Sequence, residues 1–157
     1  MKTFHFLSII AISSIMAACG DNANTDTNEP SENTELTNEN NETVVDHLAI
    51  YDFHSEHRCV TCIAIEDQTK EIIHTYFQKE FDAGTITFDL YNCDAEENQD
   101  LVEEYGAFGT TLAFTVFKNN EKIDVQDYTN WAFEMVDTEE FEQGMKEKIE
   151  TALNKIN

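Results

Sequence analysis

The sequence predicts an α/β fold of three layers, a four-stranded mixed sheet with helices on both faces, ordered β-α-β-α-β-β-α over residues 44–157. Three features lead there. Two short runs rich in strand formers, 48–53 and 85–91, alternate with apolar residues spaced for helices. A near-continuous apolar run over 112–117 has the composition of a strand covered on both faces. A polar turn and a further extended stretch follow it directly, which makes a hairpin.

Taken in order, residues 44–53 give the first strand, with 48–53 its paired part. Ile63, Ile65, Thr69, Ile72, Ile73, Tyr76 and Phe77 recur at helical spacing, so one long helix runs from about Val60 to Phe81. Asp82-Ala83-Gly84 is a turn, and 85–91 alternates as the second strand. Residues 96–105 form a short helix that Gly106 stops. After the strand over 112–117, Lys118-Asn119-Asn120-Glu121 turns the chain back into an edge strand over 122–128. Residues 130–136, bearing Trp131, Phe133 and Met135, make about one helical turn. Asp137 with Glu140 three residues on has the spacing of a capping box, which opens a last helix to about Asn154. Helices join the first three strands, so those three should run parallel, with right-handed crossovers, and the fourth antiparallel. Tyr105, Phe114 and Phe117 read as core. No internal repeat is visible.

Residues 1–18 read as an export signal. Lys2 starts it, 6–16 is apolar but too short to span a bilayer, and small residues close it. Met16-Ala17-Ala18-Cys19 resembles the lipobox of bacterial lipoproteins, with Met16 where leucine is usual. The resemblance implies cleavage before Cys19, diacylglycerol on its sulfur and an acyl chain such as palmitate on the new amine. Several chains at about 0.8 kcal/mol per buried CH₂ make a stable anchor. Residues 19–43 have Leu36 as their only large apolar side chain and neither Lys nor Arg. Such a segment cannot offset its ordering entropy, so it reads as an extended acidic tether. The domain is therefore expected outside the cytoplasm, in the periplasm or at the cell surface, held to the cell membrane or outer membrane by lipid. With 9 basic and 32 acidic residues the formal charge is −23. That excludes nucleic acid as a partner and disfavours direct adhesion to anionic lipid.

Chemistry concentrates in Arg58-Cys59-Val60-Thr61-Cys62, where the first strand hands over to the first helix. Unpaired N–H groups and the helix dipole favour negative charge at that point. A thiolate is such a charge, and the first cysteine of such a pair commonly has its pKa lowered from about 8.5 toward ~3.5–7.5. Cys59, nearer the helix start, is the candidate attacking thiolate, and Cys62, one turn on, the resolving thiol. His57 and Arg58 are supporting candidates that add positive potential beside Cys59; His54 reads as a polar loop residue. Three chemistries suit the pair: reversible thiol–disulfide exchange or electron delivery, a soft-metal or arsenical site, and a structural disulfide. The metal site would draw on His54, His57 or Cys93 for further ligands. The structural disulfide closes too small a ring to stabilise much. The first is the leading reading and the second its alternative. Haem attachment is excluded because Ile63 stands where histidine is demanded, and no second Cys-x-x-Cys is present to close a zinc site. Cys93 reads as a buried, inert thiol. The redox reading needs no cofactor.

Three stretches together resemble thioredoxin-fold proteins over nearly all of 44–157. They are Phe53 with Cys59-Val60-Thr61-Cys62, Asn98-Gln99-Asp100-Leu101-Val102-Glu103-Glu104-Tyr105-Gly106, and Val116-Phe117-Lys118-Asn119-Asn120-Glu121. The third is similar to the Phe-Lys-Asn-Gly-Glu turn of thioredoxins. More narrowly, Phe53-His54, Arg58-Cys59-Val60-Thr61-Cys62 and Asn92-Cys93-Asp94-Ala95-Glu96-Glu97-Asn98 resemble a small exported thioredoxin-like family. That family is the nitrophenyl-compound nitroreductase subunit of the ArsF type, found near arsenic-resistance genes. The resemblance implies electron delivery through the dithiol in reduction of nitroaromatic arsenicals. Its redox partner would be a membrane thiol donor or a reductase subunit. Two departures stand out. Thioredoxins usually carry Trp-Cys-Gly-Pro-Cys, and neither that tryptophan nor that proline is here. They also place a cis-proline opposite the dithiol, whereas this domain has no proline. Thr110 or Thr111 should occupy that loop as a supporting residue. A trans bond is expected there, since a cis bond before a non-proline residue costs roughly 2.5–4 kcal/mol.

Overall fold

The computed structural model describes residues 46–157. The export signal (1–18), Cys19, the tether (19–43) and the expected strand start at Val44 lie outside the described residues. Strand β1 (His47–His54) leads into helix α1 (Val60–Tyr76) and the short α2 (Gln78–Asp82). Strand β2 (Ile86–Asn92), a 3-10 turn (Glu96–Asn98) and α3 (Gln99–Tyr105) follow. The hairpin of β3 (Thr111–Lys118) and β4 (Glu121–Asp127) precedes α4 (Thr129–Met135) and α5 (Glu139–Ile156). The strands form one sheet in the order β2-β1-β3-β4. This is the expected α/β class, thioredoxin-like in its mixed four-stranded sheet.

Only β1 and β2 pair in parallel, and β3 runs against both, which corrects one expectation. Leu48 lies opposite Ile86 and His54 opposite Asn92 in the parallel β1–β2 pair. Strand β3 is antiparallel to β1, with Phe53 opposite Thr111 and Leu48 opposite Val116. A parallel crossover would have to carry the chain back along the whole sheet, roughly 26 Å for an eight-residue strand. Helix α3 has 7 residues and covers only about 10 Å. The chain instead leaves β2 beside His54 and re-enters at Thr111 beside Phe53, at the same end of the strands. The hairpin partner β4 is antiparallel to β3, as expected.

Period two along β1 sends Leu48, Ile50 and Asp52 to one face and Ala49, Tyr51 and Phe53 to the other. The first face carries the main core, where Leu48, Ile50, Ile65, Phe114, Phe141 and Ile149 are essentially inaccessible. The second carries a smaller core of Phe53, Val102, Ala107 and Ala113, with Tyr51, Tyr91 and Tyr105 packed against it. Residues 112–116 of β3 are buried on both faces, as their near-continuous apolar character suggests, and the one polar side chain among them, Thr115, shares a hydrogen bond with Tyr105.

The helices depart from expectation in three places. The long first helix breaks at Phe77 (φ −128°, ψ 23°). The bend puts Phe77 in the main core and Phe81 against it. In the predicted stripe, Ile63 and Tyr76 turn out exposed, while Ile65, Thr69, Ile72 and Ile73 face inward. The segment after β4 is a helix of seven residues rather than one turn. Asp137 is not the cap of α5. It has φ 65° and accepts from Gln68 Nε2 at 2.6 Å, and Thr138 holds the N-cap position. Glu139, Glu140 and Glu142 still complement the positive end of the helix dipole. The stop at Gly106 (φ 60°) and the hairpin turn, with Asn119 at φ 53° and Asn120 at φ 62°, are as expected. Among the described residues no helix is long and apolar enough to cross a membrane.

Candidate functional site

Cys59 is the N-cap of α1, with extended backbone (φ −78°, ψ 158°). Its Sγ accepts a hydrogen bond from the Cys62 amide at 3.0 Å, taking the part a serine or aspartate oxygen usually plays. The Cys59 carbonyl accepts from the Ile63 amide at 3.1 Å and so starts the helical ladder. Cys59 and Cys62 are joined in a disulfide with Cα atoms 5.1 Å apart. Cys59 is exposed, whereas Cys62 is 6% exposed. Beside Cys59, Val60 projects into solvent with 85% of its surface accessible.

The loop from β1 to Cys59 is held by its own polar groups. Ser55 Oγ donates to the His57 carbonyl at 3.1 Å, and the Glu56 amide donates to Asp94 Oδ2 at 2.8 Å. His57 is exposed next to the disulfide. Arg58 is not directed at Cys59 as its sequence position suggests. Its side chain is 21% exposed and turns inward. There it donates from Nη1 to Glu66 Oε2, and its Nη2 lies 3.9 Å from Asp52 Oδ2. Glu66 accepts from Lys70 on its other oxygen. Burial raises the Glu66 carboxyl, but the hydrogen bonds from Lys70 and Arg58 outweigh it and hold the group below its ordinary range.

Asp52 is the residue that sequence reading missed. It is fully buried, and neither carboxylate oxygen has a hydrogen-bond partner. Leu90 and Leu112 flank it on the neighbouring strands. Burial pushes its carboxyl from 3.8 up to about 7; Arg58 and Lys70 pull it down and Glu66 pushes it up. The signal was present in the strand pattern. Alternation from Leu48 and Ile50 places residue 52 on the core face, where an acid is out of register with the apolar row. Cys62 and Glu66, four residues apart, lie on the same side of α1.

Thr110 closes the loop before β3, and Thr111 opens that strand opposite Phe53; both are half-buried. Every peptide bond among the described residues is trans. The pairings of His54 with Asn92 and of Phe53 with Thr111 bring the loops after β1, after β2 and before β3 to one end of the strands. Cys93 is a free, buried thiol that donates to the Ala107 carbonyl at 2.8 Å. Burial pushes its pKa up, and Asp94 adds to that. Among the described residues no three of His, Cys, Asp and Glu are gathered as metal ligands, so His54, His57 and Cys93 do not complete a set around the two sulfurs. Trp131 stacks on Phe141 at 5.2 Å and packs against the main core, as does Met135. A cleft between α1 and α5 is lined by Gln68, Tyr76, Thr138 and Glu142 and does not include the disulfide.

No protein-family model matches the chain, and no curated protein matches it. Among solved structures, it is similar to a thioredoxin of Fasciola hepatica at 15% identity, covering 69% of this chain and 83% of that one, with TM-score 0.42. It is similar to a malarial protein at 12% identity, covering 66% and 97%, with TM-score 0.40. It is also similar to thioredoxin f2 of Chlamydomonas reinhardtii at 19% identity, covering 54% and 69%, with TM-score 0.38. At these scores the likenesses carry no functional argument. The order and directions of the strands are what make the fold thioredoxin-like.

Proposed function

We propose that this protein is a thiol–disulfide exchange or electron-delivery protein working through Cys59 and Cys62. The observation that carries the reading is the asymmetry of the pair: an exposed sulfur at the N-cap of α1 bonded to a buried one a turn later. In the reduced protein the Cys59 thiolate would keep the Cys62 amide as its donor and lie at the positive end of the helix. It attacks a partner disulfide, forms a mixed disulfide and expels one partner thiolate. Cys62 then loses its proton and attacks Cys59 Sγ. The second partner thiolate leaves, and the Cys59–Cys62 bond is restored. Two electrons pass to the partner, and run in reverse the same steps reduce the pair. Asp52, buried, within 3.9 Å of the Arg58 side chain and with its carboxyl raised to about 7, is our candidate for exchanging the Cys62 proton. His57, Thr110 and Thr111 border the approach in this reading.

The reading extends to the rest of the chain on sequence grounds. Cys19 would carry the lipid, residues 19–43 would hold the domain off the membrane, and the domain would work in the periplasm or at the cell surface. The partner would be a membrane thiol donor upstream or a reductase subunit downstream, with nitroaromatic or arsenic compounds as the final acceptors. Support comes from the lipobox resemblance and the motif around Cys59 and Cys93.

The test is equilibration of the full chain in glutathione redox buffers, with thiols counted by alkylation and mass spectrometry. Cys59 and Cys62 should interconvert together as a two-electron couple, and Cys62→Ser should accumulate a glutathione adduct on Cys59. A disulfide that stays intact in excess dithiothreitol, or thiols that never re-form it, would overturn the proposal.

A further inference from the structure

Four charged side chains, Asp52 of β1, Arg58 of the loop and Glu66 and Lys70 of α1, form one linked cluster, and their pairing is uneven. Glu66 takes two cations, Arg58 on Oε2 and Lys70 on Oε1. Asp52 has one ion pair and no hydrogen bond. That ion pair, from Arg58 Nη2 to Asp52 Oδ2, is 3.9 Å long and outside hydrogen-bond range, and both Asp52 oxygens and Arg58 Nε and Nη2 lack hydrogen-bond partners. The guanidinium that could satisfy the buried carboxyl is held by its neighbour on the helix. Arg58 also directly precedes Cys59 in the chain, so what fixes Arg58 also fixes the entry to the disulfide.

We propose that Glu66 is a positioning residue that holds the Arg58 guanidinium off Asp52 and thereby keeps Asp52 able to gain and lose a proton during exchange at Cys59 and Cys62. The proposal rests on the dithiol reading above. The reasoning is electrostatic. An Asp52 carboxylate bonded to Arg58 would remain ionised and could not cycle a proton near neutral pH. Clamped on Glu66, Arg58 gives its hydrogen bond there and reaches Asp52 only through the longer ion pair. The groups facing Asp52 are few. Arg58 comes from the loop, Glu66 and Lys70 come from α1, and Cys93, whose thiol senses the Asp52 charge, follows β2. The neighbouring strands offer Leu90 and Leu112, which carry no charge.

Opposite substitutions should therefore act in opposite directions. Glu66→Gln removes a negative charge and releases both cations toward Asp52. Arg58→Gln removes the nearer cation. The readout is the Asp52 titration in full-length protein labelled with ¹³C at aspartate carboxyls, with the resonance identified by its loss in Asp52→Asn. Glu66→Gln should lower the Asp52 midpoint by a pH unit or more, and Arg58→Gln should raise it. The pH profile of disulfide reduction by dithiothreitol should move with each. Lys70→Gln, at a more exposed position, should raise the midpoint by less than Arg58→Gln, and it decides the matter if either inner variant fails to fold. Unmoved midpoints, or shifts of the same sign in Glu66→Gln and Arg58→Gln, overturn the clamp. A disulfide that exchanges normally beside unmoved midpoints sinks the clamp alone. Midpoints that move as expected beside an inert disulfide sink the dithiol reading instead.

Discussion

Asp52 on β1 lies 3.9 Å from the Arg58 guanidinium, yet neither of its oxygens accepts a hydrogen bond. The cost of burying its charge should appear as a dependence of stability on pH. The folded carboxyl keeps its proton to about pH 7, while an ordinary aspartate keeps it only to 3.8. Between those values the folded state binds more protons than the unfolded state. The favourable contribution is therefore complete below pH 3.8 and lost as pH rises through 7. At about 1.36 kcal/mol per pH unit the gap corresponds to roughly 4 kcal/mol. Asp52→Asn keeps the shape without the charge. It should be more stable than the parent by about 1–4 kcal/mol at pH 8, with the difference closing toward pH 4. Urea unfolding of both proteins at the two pH values measures it, and an equal gap at both would refute the argument.

Gly144 supports a second prediction. A glycine inside a helix costs about 1 kcal/mol relative to alanine, so Gly144→Ala would ordinarily stabilise α5. Here a Cβ would stand 2.6 Å from Trp131 Cζ2. The indole is stacked on Phe141 and has little room to retreat. Overpacking typically costs 1–3 kcal/mol, so Gly144→Ala should destabilise the domain by about 1–2 kcal/mol. In a Trp131→Leu background the same change should become neutral or stabilising. A double-mutant cycle in urea reads the sign reversal directly.

Much of this architecture is legible in the chain because local rules and tertiary structure agree there. The Cys59-to-Cys62 spacing marks a helix start, and the thiols are found at one, bonded. Asn119-Asn120 and Gly106 announce backbone with positive φ and adopt it. The misreadings arise where packing overrides local preference. Nothing in the composition around Phe77 stops a helix; the break serves the burial of that ring. Asp137 and Glu140 have capping-box spacing, but Gln68 from another helix takes the Asp137 carboxylate. The direction of β3 depends on how far α3 can carry the chain, which spacing alone does not reveal. Asp52 is missed, and the direction of Arg58 misread, for another reason. One sits in an apolar row read as strand composition, and the other has a neighbour in sequence that is not its neighbour in charge.

The β3–β4 turn yields a third prediction. Asn119 and Asn120 both hold left-handed backbone, and the Asn119 amide is fixed by Asp46 Oδ1 at 2.7 Å. A non-glycine residue in that region carries roughly 1 kcal/mol of strain, less for asparagine. The turn type favours Asn-Gly. Asn120→Gly should therefore raise stability by about 0.5 kcal/mol, whereas Asn120→Val should lower it by more than ~1 kcal/mol. Shifts of the urea midpoint in opposite directions would bear this out, and equal losses would show that the Asn120 side chain matters more than its backbone.

Cys93 distinguishes a packed thiol from a reactive one. It is 8% exposed, donates to the Ala107 carbonyl at 2.8 Å and has its pKa pushed up by burial. Thiolate fraction and access both govern alkylation, and both are against it. In fully reduced protein at pH 7.5, iodoacetamide should modify Cys59 first and Cys93 last, with Cys93 slower by on the order of 100-fold. Peptide mapping over time gives the order. Cys93→Ala should leave the Cys59–Cys62 exchange equilibrium unchanged while costing about 1–2 kcal/mol of stability through the lost packing and the orphaned Ala107 carbonyl. Modification of Cys93 at the rate of Cys59 would mean that residues 107–109 lift away from the sheet, and the thiol would then belong with the reactive pair.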